Sequence, residues 1–207
     1  LLEEYLEFLI HIDSIGAKAK YANEINAILP KISSEKTIYF KNAMHPVLWR
    51  KNNIQEIATI PQTIELNENQ QIIVISGPNA GGKSITLKTI GLLQIMIQSG
   101  ILIPVGENSK TYIFENILTD IGDNQSIENQ LSTYSYRLKN MRSFLKKCNS
   151  ETLFLIDEFG TGSDPELGGA LAEIFLEEFY NKEAFGIITT HYSCLLYTSP
   201  SPRDLQG

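Results

Sequence analysis

The chain has 207 residues, 43% of them hydrophobic and 20% charged, with a formal net charge of −7. That balance fits a folded core with an appendage and excludes a disordered or collagenous chain. It also excludes a nucleic-acid face made by overall charge, so any basic surface is local or lies elsewhere. No apolar run reaches the roughly 18 residues that suggest a membrane span. Glu3, Glu4 and Glu7 read against a secretory leader, and the absence of an initiating Met predicts a piece of a longer chain. Two cysteines, Cys148 and Cys194, make no disulfide framework, which sets the cytoplasm as the expected compartment.

Leu2, Leu6, Leu9 and Ile12 recur at helical spacing and predict a helix from Leu1 to about Leu29, ended by Pro30. Its apolar stripe needs something to pack on. Ile38 to Phe40 and Ile54 to Ile57 read as short strands around a His45-Pro46 loop. Strand and helix then alternate. Gln71–Ser76 is an apolar, β-branched strand, and Lys83 to about Ser99 is a helix closed by Gly100. Thr111–Phe114 and Ile117–Ile121 read as strands, and Gln130 to about Cys148 as a helix. Thr152–Asp157 is the nearly all-apolar run of a strand covered on both faces. Pro165 to about Asn181 is a helix with Pro in its first turn, and Phe185–Thr190 is a second buried strand. This alternation predicts an α/β fold, a mostly parallel sheet flanked by helices, with right-handed crossovers.

Two segments carry chemistry. Gly77-Pro78-Asn79-Ala80-Gly81-Gly82-Lys83-Ser84 fits G-x-x-x-x-G-K-[ST] between a strand and a helix. The glycines let backbone N–H groups curl toward a phosphate, and the helix aims its positive end at the same place. Lys83 is expected to reach the β- and γ-phosphates of ATP, and Ser84 to hold Mg²⁺. Downstream, Leu153-Phe154-Leu155-Ile156 runs into Asp157-Glu158. Asp157 is placed for the Mg²⁺ shell, and Glu158 to polarise or deprotonate the attacking water. His191 ends the last buried strand after Thr189-Thr190 and reads as a γ-phosphate sensor. His45 is weaker, as a shaper of the loop near the nucleotide base. Gly160 to Asp164 is a flexible turn with Asp164 as a helix N-cap. Arg137, Lys139, Arg142, Lys146 and Lys147 make one helix basic, and read as a solvated face.

GPNAGGKS, DIGDNQSIENQLSTYS (Asp120 to Ser135), DEFGTGSDP (Asp157 to Pro165) and TTHYS (Thr189 to Ser193) together resemble MutS-type ATPases, and within them the bacterial branch that bears a C-terminal Smr nuclease domain. The resemblance implies a P-loop NTPase of ABC/MutS type. Residues 1–35 would be the end of the helical lever region and 36–193 the ATPase domain. It implies a homodimer whose ATP sites are completed by the partner, with the segment around Ser132 reaching the partner's nucleotide and Gly160 to Asp164 at the interface. Branched or mismatched DNA and stalled ribosomes are the partners implied for that branch, without a membrane role. Any nuclease activity would lie outside these residues. The alternatives are the ATPase of a transporter, which needs an LSGGQ-type signature where this chain has Leu131-Ser132-Thr133-Tyr134-Ser135, and a nucleotide-gated binding module with little turnover. Cys194 to Asp204 departs from all of this. It reads, residue for residue, as one frame of a transposase sequencing adapter, so 194–207 is expected to be a non-native tail.

Overall fold

The computed structural model describes residues 2–77, 82–122, 130–159 and 165–190, with only the backbone described at 130–136 and 165–167. The chain divides into two compact units. One is Leu1–Glu65 with Thr89–Ile113, and the other is Leu66–Lys88 with Phe114–Gly207.

In the first unit, helix α1 spans Leu2–Glu24. It stops earlier than Pro30 dictates, because Asn26 turns the backbone left-handed at φ 51°. Asn is the residue after Gly that best tolerates this helix-ending conformation. The Ala27 N–H then closes back on the Ala22 carbonyl at 2.8 Å. The apolar stripe of α1 faces solvent: Leu2, Leu6, Leu9 and Ile12 are each more than half exposed. Strand β1 is Lys31–Ile32 and β2 is Ile38–Ala43. The expected strand at Ile54–Ile57 is not one. Helix α2 occupies Pro46–Ile54, opened by Pro46 in its first turn and by His45, whose Nδ1 accepts from the Leu48 N–H at 3.4 Å. Ile54 and Ile57 are exposed on either side of the left-handed turn at Glu56, φ 55°, that closes that helix. Their β-branching signalled a strand that has no buried face to support it.

Strand β3 (Gln62–Leu66) and the two-residue β5 (Lys110–Thr111) complete a four-stranded sheet in the order β1-β5-β2-β3. β5 is shorter than the expected Thr111–Phe114 strand. A buried polar network in this unit explains Gln94 in an otherwise apolar helical segment. Its amide nitrogen donates to the Tyr112 carbonyl at 2.8 Å, and its oxygen accepts from Thr111 Oγ1 at 2.7 Å. A buried amide with such partners carries no desolvation deficit.

The second unit holds the predicted parallel sheet. Strands β4 (Ile72–Ser76), β6 (Asn116–Asp120), β7 (Thr152–Ile156) and β8 (Phe185–Thr190) lie in the order β4-β8-β7-β6, with every neighbouring pair parallel. Helix α3 (Lys83–Gln98) follows β4, α4 (Gln130–Lys147) precedes β7, and α5 (Pro165–Asn181) joins β7 to β8. β7 and β8 are buried at every position, as near-continuous apolar strands in the middle of a parallel sheet must be. Phe154, Ile156, Ile188, Phe179, Met141 and Leu176 form one cluster beneath α4 and α5. Among the described residues no helix is long and apolar enough to cross a membrane.

Candidate functional site

Parallel strands bring their carboxyl ends to one edge of the sheet, and ligands of such sheets bind there. Register aligns those ends here: Ser76 of β4 pairs with Thr190 of β8, and Ile156 of β7 pairs with Ile188 of β8 and with Asp120 of β6. The sequence places its charged and hydroxyl residues just past these positions.

Gly77 leaves β4 at φ 144°, and Gly82 enters α3 at φ 77°. Both values favour glycine, which carries no Cβ to clash. Lys83 is the first residue of α3 and is buried, its ammonium donating to the Gly77 carbonyl. Ser84 follows, and its hydroxyl donates to Asp157 Oδ1 at 3.0 Å. The two segments read separately from the sequence are therefore one site. The Asp157 carboxylate is buried, and Thr189 Oγ1 donates to the same oxygen at 2.5 Å. A hydroxyl and a carboxylate oxygen beside a helix N-terminus suit Mg²⁺, which takes few protein ligands and completes its shell with water and phosphate oxygens. Pro78 to Gly81, His191 and the Gly160–Asp164 turn lie outside the described residues, as do the side chain of Ser132 and the 194–207 stretch. His45 sits in the other unit as the cap of α2.

Glu158 has a left-handed backbone, φ 52°. For a non-glycine residue this conformation costs about 1–2 kcal/mol and needs support from its surroundings. Four hydrogen bonds supply it. The Glu158 N–H donates to Thr189 Oγ1 at 2.8 Å, and the Phe159 N–H to the Thr189 carbonyl at 2.7 Å. Thr190 Oγ1 donates to the Phe159 carbonyl at 3.2 Å. Arg137 of α4 donates to the Glu158 carbonyl at 2.8 Å, with its other nitrogen 3.9 Å from Glu158 Oε2.

Three residues of this site were not singled out in the sequence. Thr189 read only as the approach to His191, although two threonines in a fully buried apolar strand each need a polar partner. Arg137 belongs to the site rather than to a solvated helix face; its side chain is 19% exposed. Asp120 ends β6 nearby. Burial pushes its carboxyl above the ordinary value, while the Arg137 charge and a hydrogen bond from Asn140 act in the opposite direction.

Thr189 is thus shared by both acids. Thr189→Val keeps the shape and removes the hydroxyl, taking the acceptor from the Glu158 N–H and leaving Asp157 Oδ1 with Ser84 as its donor. The expected loss is about 1–3 kcal/mol of stability. Urea unfolding would measure it, and an unchanged midpoint and slope would rule out this account of the threonine.

A phosphate-binding loop, a strand-end carboxylate bonded to its serine, and an adjacent glutamate define a P-loop NTPase of α/β architecture. Comparison with known proteins narrows the class. The family model described as MutS domain V matches residues 73–205. The chain belongs to the MutS family, and what it contains is that family's ATPase domain. Similar proteins include three named "Endonuclease MutS2". The one from Finegoldia magna is 49% identical over 189 residues, covering 91% of this chain and 23% of the relative. The one from Lactobacillus acidophilus is 45% identical over 196 residues (94% and 24%). That from Geobacillus thermodenitrificans is 41% identical over 191 residues (92% and 24%). The chain thus spans about a quarter of the length of these relatives.

Proposed function

We propose that the chain binds and hydrolyses ATP as the motor of a homodimeric, cytoplasmic MutS-type clamp acting on branched or mismatched DNA. The observation that carries the ATPase reading is the Ser84–Asp157 hydrogen bond, which joins the phosphate loop to the acid strand. Relatives named as MutS-type endonucleases support a nucleic-acid target, here DNA. With a net charge of −7, the DNA contact is expected on other parts of the protein.

In this reading the loop from Gly77 to Ser84 cradles the phosphates, and Lys83 places its charge against the β- and γ-phosphates. Ser84 and Asp157 hold Mg²⁺, which neutralises the charge developing on the transferred phosphoryl group. Glu158 takes a proton from the attacking water. His191 senses the γ-phosphate, Ser132 reaches the partner's nucleotide, and His45 borders the base. Residues 1–35 transmit the motion as the end of a lever, and 36–193 form the motor.

Lys83→Ala tests the loop. Removal of a buried cation from a phosphate site is expected to weaken ATP binding at least tenfold, measured by calorimetry. ATP binding at parental affinity in that variant would refute the assigned role.

A further inference from the structure

We infer that Arg137 is a positioning residue for Glu158, fixing the backbone conformation from which that carboxylate acts. The inference rests on the ATPase reading above and goes one residue beyond it.

Three of the four hydrogen bonds around the left-handed turn come from β8, through Thr189 and Thr190. β8 is the neighbouring strand of the sheet and is buried at every position. The fourth comes from α4, a separate element, and it lands on the carbonyl of Glu158 itself at 2.8 Å. A left-handed peptide held from one side only can relax toward the ordinary regions, swinging its side chain to a new direction. The guanidinium prevents this from the open side. It presents several donors in one rigid plane, so it can hold a carbonyl with one nitrogen and face the Glu158 carboxylate, 3.9 Å away, with another.

The carboxylate contact is long and the Glu158 side chain is 34% exposed, so the carbonyl bond is the specific one. Arg137 acts on where Glu158 points, not on ATP binding. It also sits on the same helix as Ser132, five residues on (137 minus 132).

Steady-state ATP hydrolysis by the complete protein tests this with Arg137→Ala and Arg137→Lys, each alone and combined with Glu158→Gln. Arg137→Ala is expected to lower kcat about tenfold while KM and ATP affinity stay near parental values, and to lower the melting temperature only slightly, leaving the protein folded at the assay temperature. Arg137→Lys, which keeps a cationic donor, is expected to recover part of the loss. In the Glu158→Gln background Arg137→Ala is expected to change nothing further. A parental kcat in Arg137→Ala, or an equal loss with and without Glu158, overturns the inference. So does a loss of ATP affinity or melting temperature that accounts for the fall. If Glu158→Gln alone hydrolyses at the parental rate, the assignment of the base fails first. If Glu158→Gln is inactive and Arg137→Ala is not, only the positioning role falls.

Discussion

Glu158→Gln is expected to lower kcat for ATP hydrolysis by about 100- to 10,000-fold, the usual worth of a general base, while ATP affinity stays within about twofold. Gln matches Glu in size but cannot accept the proton. The backbone of the residue is held by hydrogen bonds that the amide does not disturb, from Arg137 at 2.8 Å and to Thr189 at 2.8 Å. The substitution removes the charge from the 3.9 Å approach to Arg137, on a side chain 34% exposed. Exposed pairs of that kind contribute at most about 1 kcal/mol. Stability should therefore change little, and the variant separates catalysis from folding. Single-turnover hydrolysis with bound ATP is the direct measurement. Parental turnover in the variant would remove Glu158 from the mechanism. A parent protein that binds ATP tightly and never turns it over would favour the nucleotide-gated binding module instead.

Asp157 does not offer the same clean test. Its Oδ1 accepts from both Ser84 and Thr189, and the residue is buried. Any change there breaks packing and hydrogen bonding together. The two neighbouring acids thus differ in what their environments ask of them: one is a structural hub of the site, the other a partly exposed carboxylate on a held backbone.

How much of this the sequence disclosed depends on the range over which each feature is encoded. Strands β7 and β8 are apolar runs bounded by polar residues, and burial on both faces writes itself into five or six consecutive letters. The phosphate loop is equally local, because glycine spacing and the Lys-Ser pair are dictated by the loop's own backbone. The first unit was far less legible. β1 and β5 have two residues each and gain their identity from pairing with each other, Lys31 to Lys110. No periodicity fits in two residues. The helix at Pro46–Ile54 carried a cap and a Pro that marked its start, yet two β-branched isoleucines at its end outweighed them. Arg137 was misplaced for a different reason. Its partner is a carbonyl 21 residues away, exposed to it by a left-handed turn at Glu158. A charge pattern along one helix contains no trace of that turn.

Gly186 shows the same limit in the core, and it supports the prediction with the largest effect on stability. A glycine inside a fully buried strand gives up side-chain packing and backbone entropy, so a specific cause is required. The cause is Phe154, its register partner on β7. A Cβ at 186 would lie 2.2 Å from two carbons of the Phe154 ring, closer than carbon atoms can approach. The ring has nowhere to go: it is fully buried and stacked on Phe179 of α5, with centroids 4.3 Å apart and planes 24° from parallel. Gly186→Ala is therefore expected to cost about 1–3 kcal/mol, as overpacking does, and Phe154→Ala about 3–5 kcal/mol from the cavity it leaves. The two effects should not add. With the ring gone, the new methyl enters the space it vacated, and Gly186→Ala becomes neutral or stabilising in the Phe154→Ala background. Urea unfolding of the four proteins closes the cycle, and an equal cost for Gly186→Ala with and without the ring would refute the steric account. The consequence reaches the candidate site, because three residues beyond this pair (157 minus 154, and 189 minus 186) Asp157 accepts the Thr189 hydroxyl. A ring that fits over a glycine favours this register of β7 against β8, the one that brings the Asp157 carboxylate to the Thr189 hydroxyl.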